Sequence, residues 1–231
     1  MIIKQQKINN LNIYAFTSKE ELIDYVNNQH TILISAAAES IMKNDTRFNK
    51  IAQNHIAHPD GIGAVMALKQ KGIKSTKIPG AELWLDILKA NPNKKLYLLG
   101  SSQSVIENTV KKIKIDFPSI DVVGYRDGYF KNEEFENIKN EILDLKPDMI
   151  FVALGQPRQE YIAEDLFSIH PALYMCLGGS FDIYGGTKKR APKIFLDLHL
   201  EWFYRLLKEP TRIGRQLNLV KFLVLLKLGK L

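Results

Sequence analysis

With 231 residues, 45% hydrophobic and 25% charged, the chain carries enough apolar material for one ordinary core, which excludes intrinsic disorder. A single cysteine, Cys176, excludes an intramolecular disulfide and a cysteine-cluster zinc site, and suits a reducing compartment. The formal net charge of +7 is uneven: the last 33 residues hold seven basic and two acidic side chains, so +5 sits in the tail and points to phosphate, nucleic acid or an anionic membrane surface.

In chain order, MIIKQQKINN is too polar for a secretory segment, so export is not expected. Ser18-Lys19-Glu20-Glu21 reads as a capping box, in which the serine and the N3 glutamate satisfy each other's backbone N–H groups. It opens a helix through Gln29 that leads to a strand at Thr31–Ser35. Helices at Ala38–Lys43 and Thr46–Gln53, a short strand at His55–Ala57 and a helix over Gly61–Lys71 follow. Pro79 in a first helical turn starts a helix over Gly80–Ala90. Lys95–Leu99 and Asp148–Leu154 are short, nearly continuous apolar runs, the pattern of strands buried on both faces of a parallel sheet, and Ala172–Leu177 is a further strand. Helices over Gln103–Asp116, Asn132–Leu145 and Gln156–Phe167 separate them. This rhythm predicts a doubly wound α/β domain whose ligand loops gather at the carboxyl ends of the strands. From Ala191 the pattern turns helical, with Pro210 dividing a helix that ends near Glu209 from a last one over Arg212–Leu228. The chain therefore divides into an α/β domain, 1–198, and a basic helical appendage, 199–231. Leu217–Leu228 has nine apolar residues in twelve but is interrupted by two lysines and is too short to span a bilayer.

Several strand-end loops carry chemistry. Gly100-Ser101-Ser102 lies between a strand and a helix, where helix N–H groups can bind phosphate, but neither GxGxxG nor a P-loop is present. In His58-Pro59-Asp60-Gly61-Ile62-Gly63, Asp60 reads either as an N-cap or as a general base on a sharp turn. His55 and His58 lack a third ligand at metal-site spacing, and none of the twelve aspartates lies two residues from another, so no metal is expected. Arg205, Arg212 and Arg215 would share one face of a continuous helix and suit a diphosphate. Gly155-Gln156-Pro157-Arg158-Gln159-Glu160 and Leu177-Gly178-Gly179-Ser180-Phe181-Asp182 each end a strand with glycine, where backbone can approach a ligand.

Taken together, HPDGIG, GAELW, DGYF, GQPRQE, LGGSFD, KRAPK and LEWFYRLLKEPTRIGRQ occur in this order from residue 58 to 216 and resemble the bacterial WecG/TagA/CpsF glycosyltransferases. The likeness is greatest to the branch that transfers N-acetylmannosaminuronic acid. It implies a Rossmann-like fold and an inverting, metal-independent and cofactor-free enzyme. Such an enzyme moves a sugar from a UDP donor to a prenyl-diphosphate-linked N-acetylglucosamine on the inner face of the plasma membrane. Carried onto this sequence, the resemblance makes Asp60 the catalytic base. It places Ser35, Gly128, Tyr129, Gln159 and Asp182 at the substrates, with Gly128, Tyr129 and Asp182 around the uridine and Arg205, Arg212 and Arg215 near the diphosphate. Arg158 replaces a usual lysine, Ala37 stands where the family carries asparagine, and His199 where it carries glycine.

The tail then has two expected roles, completing the active site and associating with an anionic membrane surface. The donor sugar stays open among N-acetylmannosamine, its uronate, and UDP-glucose or another UDP-hexose; assembly into a homo-oligomer is equally open. A nucleotide-dependent oxidoreductase is disfavoured by the missing glycine fingerprint. A nucleic-acid partner is disfavoured because Phe203, Tyr204 and Phe222 read as core or membrane-facing groups rather than a stacking platform.

Overall fold

The computed structural model describes residues 2–187, 190–198, 200–208 and 213–231, without the side chains of 201, 205 and 213–217. One sheet contains β1 (Gln5–Ile8), β2 (Leu11–Tyr14), β3 (Thr31–Ala36), β4 (Ile56–Pro59), β5 (Lys95–Gly100), β6 (Asp121–Arg126), β7 (Met149–Ala153) and β8 (Leu173–Cys176). Their order is β1-β2-β4-β3-β8-β7-β5-β6, and every pair except β1/β2 is parallel. The expected doubly wound α/β class is observed.

Helices cover both faces, as the period-2 alternation of the strands requires. Ile32, Ile34, Ile150, Val152 and Cys176 point to one face. There they meet α2 (Ala38–Ile41), α3 (Thr46–Asn54), α4 (Ile62–Gln70), α7 (Phe135–Leu145) and α8 (Arg158–Phe167). Leu33, Ile56, Leu98, Phe151 and Met175 point to the other. They pack on α1 (Lys19–Val26), α5 (Gly80–Ala90), α6 (Gln103–Asp116) and α9 (Ser180–Tyr184). Then come α10 (Lys193–Asp197), α11 (Glu201–Lys208) and α12 (Ile213–Lys227).

Three strands have no counterpart in the expected pattern, and all lie near sheet edges. The polar start of the chain forms the β1/β2 hairpin, joined through Asn9 at φ +53 in a two-residue loop that asparagine tolerates. β6 closes the opposite edge and is only partly buried, so its residues show no clean alternation. Gly124 lies where a Cβ would come within 2.6 Å of the Tyr97 ring. At α1, Ser18 Oγ accepts from Glu21 N–H as the capping box predicts, but the Glu21 carboxylate reaches back to Thr17 N–H and Oγ instead of Ser18.

The far part of the tail is built onto the domain. Phe222, Leu226 and Leu231 join the core on the α2–α4 side, and Gln70 Nε2 donates to the Leu226 carbonyl at 2.5 Å. A Cβ on Gly63 would lie 3.1 Å from the Phe222 ring, so the ring occupies the space left by that glycine. The opposite side of α12 leaves Val220, Leu223 and Val224 exposed beside Lys221 and Lys227, with Leu228 exposed just past its end. No helix among the described residues is long and apolar enough to cross a membrane.

Candidate active site

The carboxyl ends of β3 and β4 lie side by side, with Ser35 opposite His58 and Ala36 opposite Pro59. The backbone N–H groups of Asp60 and Gly61 both donate to the Ala36 carbonyl, at 3.1 and 3.3 Å, and fasten the turn after β4 to the end of β3. Ile78 N–H donates to the Pro59 carbonyl at 2.8 Å and draws in the start of α5. There Gly80 N–H donates to Asp60 Oδ1 at 2.5 Å. The carboxylate therefore sits at the positive end of α5, and a charge-assisted bond fixes its direction. Gly80 lies close under both side chains: a Cβ there would stand 3.0 Å from Ser35 Oγ, a tight contact, and 3.5 Å from Asp60 Oδ1.

Of the two readings of Asp60, the cap of its own helix is not the one observed, since Gly61 is the N-cap of α4. Asp60 is partly exposed, and among the described residues Oδ2 makes no hydrogen bond. A carboxylate with one oxygen tethered and one facing solvent can take a proton without losing its position. Beneath it, His58 is fully buried and neither ring nitrogen has a partner among the described residues. Burial pushes its pKa down, so the imidazole is neutral at pH 7 even beside Asp60. His55 is elsewhere, 2.7 Å from Glu164 at the amino ends of the strands. No group of three or more metal-ligating side chains occurs among the described residues.

A second cluster lies past β5 and β6. Gly100 has φ +131, and a Cβ there would collide with the Ala153 carbonyl oxygen at 2.3 Å, so β7 requires glycine. Ser101 follows at φ +60; its carbonyl accepts from Gly128 N–H at 2.8 Å, and its hydroxyl donates to Asp182 Oδ1 at 3.2 Å. Arg158 donates to the Gly128 carbonyl at 2.8 Å and lies 4.9 Å above the Phe130 ring. The arginine in the lysine position thus holds the DGYF loop from two sides. Beside it is a cleft of about 420 Å³ lined by Tyr125, Arg126, Asp127, Tyr129 and Phe130, with Tyr129 81% exposed at its rim.

Gln159 is buried. Its Oε1 accepts from Gly155 N–H at 3.1 Å and Gly178 N–H at 2.8 Å, so one amide ties the loop after β7 to the loop after β8. The structure thus brings Ser35 to Asp60, joins Gly128 to Asp182 through Ser101, and sets Gln159 under two neighbouring loops. Arg205 lies on α11 and Arg215 on α12, but their side chains are outside the description, as are Arg212 and His199 altogether. At Ala37 no side chain caps α2 from the N-cap position, and the Ala37 N–H donates to Ser40 Oγ at 2.8 Å. The place of Gly80 beside Asp60 has one signal in the sequence, the Pro79-Gly80 pair that opens α5.

Gly128→Ala places a Cβ 2.6 Å from Leu154 Cδ2 and 3.2 Å from Ser101 N. Overpacking of this kind costs about 1–3 kcal/mol. A thermal unfolding midpoint several degrees lower is expected, measured by differential scanning calorimetry.

The family model described as glycosyl transferase WecG/TagA/CpsF matches residues 6–231. A Bacillus spizizenii protein named N-acetylglucosaminyldiphosphoundecaprenol N-acetyl-beta-D-mannosaminyltransferase is 42% identical over 168 residues, 71% of this chain and 65% of that protein. A Bacillus subtilis protein of the same name is 36% identical over 189 residues, 80% of this chain and 73% of its own length. With a match that takes in both clusters and the tail, the chain belongs to the WecG/TagA/CpsF family of glycosyl transferases.

Proposed function

We propose that this protein transfers N-acetylmannosamine from a UDP donor to N-acetylglucosamine carried on a prenyl diphosphate, with inversion and without a metal. The observation that carries the reading is the Asp60 carboxylate, tethered by Gly80 N–H at the carboxyl edge of the sheet. The names of the two relatives support the sugar and the acceptor, and favour N-acetylmannosamine over its uronate or a UDP-hexose.

In this reading the acceptor hydroxyl oxygen attacks the anomeric carbon as Asp60 Oδ2 takes its proton. The bond from that carbon to the UDP oxygen breaks, and UDP leaves with the electron pair. Ser35, whose hydroxyl lies beside Gly80 next to the Asp60 carboxylate, helps to seat the sugar. The Ser101–Gly128–Asp182 cluster receives the uridine, with Tyr129 beside it. Gln159 acts through the two loops that it joins. Charge developing on the leaving diphosphate is met by Arg205, Arg212 and Arg215 and by helix N–H groups, the transition-state electrostatic effect that replaces a metal. The exposed apolar and lysine-bearing side of α12 supports residence on an anionic membrane surface, the cytoplasmic leaflet where the lipid acceptor lies.

A panel of UDP-sugars with a prenyl-diphosphate N-acetylglucosamine acceptor, scored for UDP release and disaccharide-lipid, tests the reading. N-acetylmannosamine is expected as the preferred donor; no product with any donor would overturn it. For the membrane surface, Leu223→Glu with Val224→Glu should abolish binding to vesicles containing phosphatidylglycerol, and undiminished binding sinks that part.

A further inference from the structure

Glu160, beside Gln159 in the first turn of α8, is a carboxyl group that the proposed chemistry does not use. It is completely buried, and Oε2 has no partner among the described residues. Its other oxygen, Oε1, accepts from Gln159 Nε2 at 2.9 Å. That bond has a directional consequence. An amide has a donor end and an acceptor end of nearly the same shape, and only its partners decide which way it faces. With Nε2 held by Glu160, Oε1 must face the Gly155 and Gly178 N–H groups. Turned over, the amide would present N–H to N–H at both glycines.

Both glycines sit at positive φ, +78 and +57, in the loops that follow β7 and β8. The first loop continues into Arg158, which holds the Gly128 carbonyl. The second continues into α9, which carries Asp182. One buried carboxyl therefore stands behind both loops that border the Ser101–Gly128–Asp182 cluster.

We propose that Glu160 is a positioning residue: it sets the orientation of the Gln159 amide and through it the spacing of the two loops on the donor side of the site. It touches no substrate. The assignment of these loops to the donor rests on the glycosyl-transfer reading, whereas the orientation of the amide does not. Burial also pushes the Glu160 pKa up to about 7. The titratable groups around it are Cys176 on β8, Lys43 beyond α2 and Tyr161 on its own helix. β3 and β7 contribute none, and Arg47 of α3 is engaged by Asp165. A carboxyl whose folded pKa lies above its ordinary value stabilises the fold fully at low pH, and loses that contribution as pH rises through about 7.

The test compares wild type with E160M, which fills the space but cannot accept, and E160Q, which keeps an acceptor for Gln159 Nε2. Hydrogen exchange at the Gly155 and Gly178 amides is the first readout. E160M should exchange at least tenfold faster at both sites, while E160Q stays within about threefold of wild type. Turnover with UDP-N-acetylmannosamine and the prenyl-diphosphate acceptor is the second: E160M should lower kcat at least tenfold, and E160Q should restore it. As a third readout, the unfolding midpoint of wild type should fall more between pH 5 and 8 than that of E160Q. Unchanged exchange in E160M, or E160Q as impaired as E160M, overturns the proposal. If E160M fails to fold, a more than tenfold loss of protection in E160Q overturns it alone, and retained protection in E160Q with its flatter pH profile supports it. Should wild type show no transfer while exchange behaves as expected, the glycosyl-transfer reading fails and the positioning role stands.

Discussion

Asp60→Asn should lower sugar transfer at least 100-fold while leaving UDP affinity within about threefold of wild type. A positioned base contributes about 10²–10⁴ in rate, and asparagine removes the basic oxygen with almost no change of shape. The substitution is informative because of the Gly80 contact: the asparagine carbonyl can still accept from Gly80 N–H, so the turn after β4 and the start of α5 keep their places. Single-turnover transfer measured alongside UDP calorimetry separates the two effects. Residual transfer above one tenth of wild type would remove Asp60 from the role of base. A loss of UDP binding in parallel would instead mean that the carboxylate holds the donor site together.

Phe222→Ala should release α12 from the domain and reduce transfer to a lipid-linked acceptor by at least tenfold. Truncating a fully buried phenylalanine costs about 3–5 kcal/mol. The cost falls on the tail, since the ring fills the gap left by Gly63 and also touches the Ala38 side of α2. Gly63→Val should act in the same way from the opposite side, because its Cβ would crowd the ring at 3.1 Å. New proteolytic cuts within residues 213–231, with the sheet still intact by circular dichroism, would be the structural sign. Transfer by either variant at the wild-type level would show that the assignment of Arg215 to the diphosphate is wrong, since that arginine rides on α12.

How far the sequence could be read depended on where a segment sits. β5 and β7 are buried on both faces, so LYLL and MIFVA announce themselves as apolar runs. α5 and α6 begin and end where the punctuation of Pro79 and the apolar spacing put them. The edge strands are different: QQKI and DVVGYR each spend part of their surface in water, and no alternation survives to mark them. At the site, Asp60 was legible as a polar residue on a sharp turn, but its partner was not. The bond to Gly80 joins residues 20 apart through a backbone N–H, which no side-chain pattern reports. Gln159 shows the same limit from the other direction. A glutamine in a strand-end loop looks available to a ligand, and only the packing reveals that its carbonyl oxygen is shared between Gly155 and Gly178.

The seat of Phe222 also bears on how the protein should be handled. A chain shortened before that residue leaves an empty trench beside Gly63 and Ala38, lined with apolar surface that the intact protein keeps dry. Such a fragment is expected to seek another occupant, and a second fragment is the nearest one at crystallisation concentrations. Dimers or aggregates of shortened versions would then report the exposed trench rather than the native association state, and a detergent or a supplied α12 peptide should dissolve them. Point substitutions on the outward side of α12 avoid this artefact, because they leave the trench filled.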